Sequence, residues 1–429
     1  MGFEVLQDYL RPYYLKWFYF HRRPESRADY LAECWNKPHF PVSTELREVV
    51  RRDPSRSDIL FLPMSDWHAR IQRTQHLAMS FGEQGRRCFF LNPHLGREFP
   101  QPYSGRNDVR VGLVAPQVLE LHIHLPREPI YHHRLLTAQE TERILSAVGR
   151  LVKAADIRQM IQFVSFPLWT EAAIRIKREF GFPIVYDCHD LLSGFEAVSK
   201  SILGVESLLL EEADLVCFSS QPLQDVNIRE RPALGGKSVV VRNAVNPRDY
   251  AEIPETTGKG TPTVGYVGSL DFWFDTEAVR LAAQQRPDWN FVLIGRVESP
   301  QIFELKSLPN VSLPGEVPYS ELPSRMSAFD VAVIPFLKMP LTLATNPLKL
   351  YEYFCLGIPI VSTRLPEIEP FGDLVYLSDS AQEFTQQLAV AMAETSPDAR
   401  ARRKAIALEN SWGRRCEQLN QCFHGILPG

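Results

Sequence analysis

The sequence predicts an α/β protein made of two doubly wound, Rossmann-like domains, and three observations carry this. From residue 58 onward, short apolar runs alternate with longer amphipathic stretches. The alternation breaks over 243–260, where Pro247, Pro254, Gly258 and Gly260 sit among polar residues. It restarts at 261. Strands that alternate with helices build parallel sheets covered on both faces. Two such runs suit a chain of 429 residues, at roughly 100–200 residues per domain.

In the first run, strands are expected at 58–62, 88–91, 111–115, 118–125, 160–165, 184–186, 215–219 and 238–241. A helical stretch is expected over 66–84. A longer helix starts at Thr137, where Thr137 and Glu140 have capping-box spacing. In the second run, strands are expected at 263–267, 291–294, 311–313, 331–335, 360–363 and 375–377. Helices are expected at 276–285 and 347–356, and residues 397–423 also look helical. The resulting division is an N-terminal extension (1–57), a first domain (58–245), a second domain (246–400) and a C-terminal helical segment (401–429). The extension carries Tyr13, Tyr14, Trp17, Phe18, Tyr19 and Phe20 among Arg11, Lys16, Arg22 and Arg23. Two readings stand for it: an extra helix packed on the first domain, or a segment lying on a membrane surface.

Composition removes several classes. With 45% hydrophobic and 23% charged residues the chain is ordinary globular protein, so general disorder and low-complexity architecture are excluded. A balance of 47 basic against 51 acidic residues gives no electrostatic case for a nucleic-acid partner. The seven cysteines are scattered and form no CxxC pair, which reads as reduced thiols in a cytoplasmic protein. No secretory signal pattern and no run of ~18–20 apolar residues is present, so the expectation is a cytoplasmic protein, at most peripheral on the inner face of the membrane.

In doubly wound sheets ligands bind beyond the carboxyl ends of the strands, so the residues following each strand are the candidates. The most informative stretch is NPLKLYEYFCLGIP, residues 346–359. Asn346 suits an N-cap, Pro347 the first helical position, and Gly357 the helix stop. Lys349 then falls in the first turn, where unpaired backbone N–H groups attract phosphate. Glu352, three residues later, shares its face and offers a carboxylate to a ribose diol. The plainer reading is a solvated Lys–Glu pair. Gly295-Arg296 and Gly268-Ser269 follow strands and suit a diphosphate, or are turns. No GxGxxG or GxxxxGKS/T run occurs.

In the first half, Asp187-Cys188-His189-Asp190 follows a strand and offers two carboxylates and a histidine for acid–base work, unless one of them caps the next helix. His68, Arg70 and Arg73 follow the first strand. The two arginines, three apart, are expected to face one cleft on the acceptor side, with a solvated helix face as the alternative. His122 and His124 share a strand face by alternation, but no carboxylate or cysteine partner is evident, and no metal is expected.

These residues, in this order, resemble the GT-B glycosyltransferases, in particular family 4 and its bacterial cell-surface-polysaccharide (teichuronic acid type) group. The resemblance spans about 58–420. It rests chiefly on NPLKLYEYFCLGIPIVST (346–363), and also on Tyr266-Val267-Gly268-Ser269, Phe291 to Gly295, Tyr319 to Pro323, YDCHDLLSGF (186–195) and Ala213 to Ser220. It implies two Rossmann-like domains facing across a cleft, and a last helix that crosses back to the first domain. It also implies that Glu352 binds the donor ribose, that Lys349 lies on the diphosphate side, that Val317 is near the base, and that His189 is near the transferred sugar. Two departures stand out. Ala344 occupies the place of an acidic residue eight positions before Glu352, and Ser269-Leu270-Asp271 replaces the Arg and Lys after the first strand of the second domain. Arg296 and Lys349 are then expected to neutralise the phosphates.

The expected function is therefore transfer of a sugar from a nucleotide diphosphate sugar, a UDP-sugar by preference, to a polysaccharide or lipid-linked acceptor, without metal or other cofactor. Asp190 or Asp187 accepts the proton if the enzyme inverts; if it retains, His189 positions the donor sugar. The alternatives are a non-catalytic scaffold of the same fold, and an epimerase or phosphorylase.

Overall fold

The computed structural model describes residues 39–42, 46–65, 67–68, 70–92, 109–123, 125, 134–253 and 260–427. The chain divides into two compact units. The first comprises Met1–Phe218, Asn227–Val240 and Cys416–Gly429, and the second Ser219–Val226 and Val241–Arg415. The aromatic and basic segment 13–23 lies outside the described residues, as do His124, His132 and His133. Among the described residues no helix is long and apolar enough to cross a membrane.

The described strands of the first unit are β1 (His39–Pro41), β2 (Asp58–Leu62), β3 (Cys88–Asn92), β4 (Val109–Ala115), β5 (Val118–Ile123), β6 (Met160–Val164), β7 (Ile184–Cys188), β8 (Leu215–Phe218) and β9 (Ser238–Val240). They form one sheet in the order β1-β4-β5-β3-β2-β6-β7-β8-β9. From β5 to β9 every pairing is parallel. Strand β4 is antiparallel to both β5 and β1. A wholly parallel sheet therefore fails at this edge. Pro116 and Gln117 join β4 to β5 with Gln117 at φ 60°, and so short a link can only return the chain antiparallel. Strand β1 also draws part of the 1–57 stretch into the sheet.

The helices here are α1 (Leu46–Val49), α2 (Arg73–Glu83), α3 (Ala138–Ala154), α4 (Thr170–Phe180) and α5 (Lys200–Glu212); α6 (Gln221–Glu230) begins in the second unit and ends in the first. Helix α2 begins at Arg73, later than the sequence suggests. The Gln75 side chain accepts from the Gln72 N–H at 3.3 Å and donates to the Arg70 carbonyl at 2.8 Å, which fixes a non-helical approach. Helix α3 starts at the expected place. Thr137 Oγ1 accepts from the Glu140 N–H at 3.3 Å, and the Glu140 carboxylate accepts from the Thr137 N–H at 2.8 Å.

The second unit contains β10 (Thr263–Val267), β11 (Asn290–Ile294), β12 (Val311–Gly315), β13 (Val331–Ile334), β14 (Ile360–Thr363) and β15 (Val375–Ser378). Their order is β12-β11-β10-β13-β14-β15, with every pairing parallel. Counted within the unit this is 3-2-1-4-5-6, the doubly wound order, whose strand order reverses between β10 and β13. Its helices are α7 (Thr276–Gln285), α8 (Leu322–Met326), α9 (Pro340–Leu343), α10 (Leu348–Leu356), α11 (Ala381–Met392) and α12 (Pro397–Glu409); α13 (Trp412–Phe423) follows. Alternate residues of each strand enter opposite layers. Val264 and Tyr266 of β10, with Val331 and Val333 of β13, pack against Ala278 and Ala282 of α7 and Phe384 and Leu388 of α11. Val267, Ala332 and Ile334 pack instead against Leu350, Tyr353 and Phe354 of α10. Helix α10 is thus fixed by its apolar face beside the switch point. It stops at Gly357, whose φ of 68° suits glycine.

At the end of the first sheet remote from the β-strand carboxyl termini, Arg87 and Asp58 form a buried pair, Nε to Oδ1 at 2.8 Å and Nη2 to Oδ2 at 2.6 Å. Arg87 Nη1 also donates to the Ala155 carbonyl at 2.9 Å. Arg87→Met leaves Asp58 buried without its partner, and breaking such a pair costs about 3–5 kcal/mol. Urea unfolding at pH 7 is expected to show that loss as a lower midpoint with an unchanged slope.

Candidate functional site

In the second unit the strand ends at the switch point carry the candidates. Gly268 and Ser269 follow β10, and Gly295 and Arg296 follow β11. The Gly268 N–H donates to the Ile294 carbonyl at 3.0 Å. A Cβ on Gly295, at φ 148°, would stand 1.8 Å from the Gly268 carbonyl oxygen, so only glycine permits this approach. Arg296 Nε meets Glu298 Oε1 at 2.6 Å, both side chains being about a quarter exposed.

Lys349 and Glu352 lie in the first half of α10 and touch: Lys349 Nζ is 2.9 Å from Glu352 Oε2. Glu352 is 1% exposed, and among the described residues neither of its carboxylate oxygens has a hydrogen-bond partner. This is a costly state for a buried charge, and Lys349, itself 23% exposed, is the cation beside it. Tyr319 and Val317 pack against the same core layer as α10. The Tyr319 hydroxyl donates to Asp249 Oδ2 at 3.0 Å. Burial first, and then the Glu352 carboxylate, hold the Tyr319 phenol up and push the Cys355 thiol to about 12.

Asn346 does not cap α10. Pro347 holds the N-cap position with extended backbone, and the helix starts at Leu348. The Asn346 side chain turns inward. Its Oδ1 accepts from the Asn243 N–H at 2.9 Å, and its Nδ2 donates to Glu367 at 2.9 Å and to the Tyr351 hydroxyl at 3.1 Å. Those partners occupy the amide, so its place is to anchor the segment before α10 rather than to meet a ligand.

In the first unit, Arg73 and Asp187 form a buried forked pair: Arg73 Nε lies 3.0 Å from both Asp187 oxygens, and Nη2 lies 2.8 Å from Oδ1. Asp187 is inaccessible and Arg73 is 4% exposed. The expectation that Arg70 and Arg73 face one cleft therefore fails for Arg73, whose guanidinium points to β7. Arg70 precedes α2 and is half-buried. The same pair occupies both Asp187 oxygens. His189 sits between the two carboxylates, with Nδ1 donating to the Asp187 carbonyl at 3.0 Å and Nε2 3.8 Å from Asp190 Oδ2. Burial raises the Asp190 carboxyl above its usual range, against the pull of His189 and Arg73. That direction suits a general base better than an ordinary aspartate would.

His68 is likewise turned inward. Its Nε2 lies 3.0 Å from Glu120 Oε2, and His122 Nε2 lies 3.2 Å from the same oxygen. Asn92 donates to the other oxygen. Glu120 is the carboxylate partner that the histidine-rich strand seemed to lack. The signal was present, because residues 120 and 122 alternate onto one face of β5. Its carboxyl is held well below the usual range by the two histidines, against burial. Among the described residues no group of three or more His, Cys, Asp or Glu is arranged to hold a metal ion.

The Asp190 shift has a stability consequence. Its folded-state pKa is raised, so the associated stability is full below about pH 4, the ordinary aspartate range, and is lost as pH rises through the folded value. Asp190→Asn removes that loss. The variant is expected to melt higher than the wild type at pH 7, with the gap closing below about pH 4, in melting temperatures measured across pH. A variant that melts lower at pH 7 contradicts this.

Residues 261–394 match the family model described as glycosyl transferases group 1. TuaH of Bacillus subtilis (strain 168), by name a candidate teichuronic acid biosynthesis glycosyltransferase, is 29% identical over 201 residues, covering 43% of this chain and 51% of that protein. The chain thus spans about half the length of the curated relative it matches. Among solved structures, sucrose-phosphate synthase from Thermosynechococcus elongatus superimposes with a TM-score of 0.67 at 16% identity, over 86% of this chain and 99% of the other. Anabaena HepE, in complex with UDP and glucose, gives 0.61 at 18% identity, over 86% and 100%. The E. coli trehalose-6-phosphate structure bound with UDP-2-fluoro glucose gives 0.58 at 13% identity, over 85% and 98%. The chain therefore has the GT-B fold, and its residues 261–394 match the group 1 glycosyl transferase family model.

Proposed function

We propose that the protein is a glycosyltransferase that takes a sugar from a nucleoside diphosphate sugar, and that its nucleotide is UDP. One observation carries the reading: the buried Glu352 carboxylate, on the helix that starts beside the switch point, meets among the described residues only the Lys349 ammonium, at 2.9 Å from Oε2, and makes no well-directed hydrogen bond. A ribose diol supplies two O–H donors at the spacing of one carboxylate. In the free protein Lys349 neutralises Glu352. On binding, the ribose takes over the carboxylate and Lys349 turns to the diphosphate at the N-terminal end of α10. Charge that develops on the leaving diphosphate is then met by Lys349 and the helix N–H groups, and the proposal assigns no step to a metal ion. UDP is the nucleotide chosen because HepE is described with UDP and the E. coli structure with UDP-2-fluoro glucose.

For the acceptor, the name of TuaH supports a polysaccharide or a lipid-linked glycan. Asp187 lies within β7 and Asp190 two residues beyond its end; of the two, Asp190 is the proton acceptor if the enzyme inverts, since Arg73 holds both oxygens of Asp187. If it retains, His189 positions the donor sugar. A second reading, a scaffold without transferase activity, is favoured by Ala344, which is buried and offers no carboxylate to a sugar.

Calorimetry with UDP tests the donor assignment. Charge-assisted hydrogen bonds are worth about 1.5–3 kcal/mol each, so Glu352→Gln is expected to weaken UDP binding at least tenfold. Lys349→Ala is expected to weaken it by an amount that shrinks at high salt. UDP binding unchanged in both variants removes the assignment. Turnover separates enzyme from scaffold: Asp190→Asn is expected to lower UDP-sugar turnover by ~10²–10⁴ with UDP affinity retained, if the residue is the base. A wild type that binds UDP but turns over no UDP-sugar with any glycan acceptor favours the scaffold.

A further inference from the structure

On a turn packed against the helix that carries Glu352, the second unit holds another buried polar atom without a partner among the described residues. Tyr250 ends the short turn Pro247–Tyr250, which packs on α10. The residue is 6% exposed and belongs to the same core layer as Leu350, Tyr351 and Tyr353. Among the described residues its hydroxyl has no hydrogen-bond partner. Neighbouring polar groups are satisfied differently: Asp249 accepts from Asn246 at 2.9 Å and from Tyr319 at 3.0 Å. Burial, and next the Glu352 carboxylate, raise the Tyr250 phenol well above its ordinary range, so the phenol stays protonated and remains a donor. An unpartnered donor thus sits on a turn packed against the helix whose buried carboxylate meets only Lys349, and the two do not bond to each other.

The two needs are complementary. A carboxylate only accepts; a protonated phenol has one hydrogen to donate. A hydroxyl group satisfies both at once, giving its hydrogen to Glu352 and receiving one from Tyr250. A carbonyl or phosphate oxygen cannot, because it has nothing to donate to Glu352. Leaving such groups empty is unfavourable, so the pair is better matched to a ligand than to the free protein. We propose that Tyr250 is a specificity-determining residue that donates to a ribose hydroxyl held by Glu352, and so selects ribonucleotide over deoxyribonucleotide donors. This rests on the reading of Glu352 as the ribose carboxylate.

The test uses Tyr250→Phe in the full chain, which removes one oxygen and keeps the ring. Calorimetry is run with UDP, 2′-deoxy-UDP and 3′-deoxy-UDP on wild type and variant, alongside the melting temperature of each free protein. The expected result has three parts. Wild type prefers UDP over at least one deoxy analogue. The variant loses about threefold to tenfold in UDP affinity, the worth of one hydrogen bond, while one deoxy analogue binds both proteins equally. The free variant melts no lower than wild type, because an unpaired buried hydroxyl has gone. If wild type prefers UDP but the variant binds it equally well, the role of Tyr250 is overturned and that of Glu352 stands. Equal weakening for all three ligands, or a lower melting temperature with unchanged preference, marks a packing residue and also overturns it. Wild type that binds no UDP, or binds all three ligands alike, overturns the ribose reading itself.

Discussion

The functional reading depends on one electrostatic imbalance, the buried carboxylate of Glu352. Its oxygens are out of water, make no well-directed hydrogen bond among the described residues, and rely on the largely buried Lys349 ammonium 2.9 Å from Oε2. Folded proteins rarely leave a buried charge in that condition. The second unit shows how it treats a carboxylate that serves structure. Glu367, 5% exposed, accepts from Arg242 Nε at 2.7 Å, the Gln221 N–H at 2.9 Å and Asn346 Nδ2 at 2.9 Å. One carboxylate is saturated and the other is left open, a contrast that poor packing does not explain.

The saturated carboxylate fixes the open one. Asn346 immediately precedes the helix that bears Lys349 and Glu352, and its bonds to Glu367 and Asn243 hold that segment in place. The apolar face of α10 then docks on β13 and its neighbours through Leu350, Tyr353 and Phe354. The geometry of the proposed site is thus set by the first turn of α10 at the point where the strand order reverses, with Gly268 and Gly295 keeping the strand ends close.

Much of this was legible in the sequence, and the exceptions share a cause. Strands 263–267 and 360–363 and helix 276–285 have the bounds read from apolar runs between Gly, Pro and polar residues. The contact of Lys349 with Glu352 follows from helical spacing alone. What failed needed long-range information. Arg73 reads as one of two exposed arginines, yet its partner Asp187 is 114 residues away. Asn346 reads as a cap, and Glu367, 21 residues on, decides otherwise. His68 finds Glu120 at a separation of 52. No local pattern singles out Tyr250 or reveals that its hydroxyl is left over. Strand β1 has three residues, too few for any periodicity.

The most direct test of the central claim is a crystal structure of the protein with UDP. The account predicts both ribose hydroxyls within about 2.6–3.0 Å of the Glu352 oxygens. It also predicts that Lys349 Nζ leaves Glu352 for a phosphate oxygen. UDP bound away from α10, or bound with the Lys349–Glu352 contact intact and the ribose facing other groups, would contradict it.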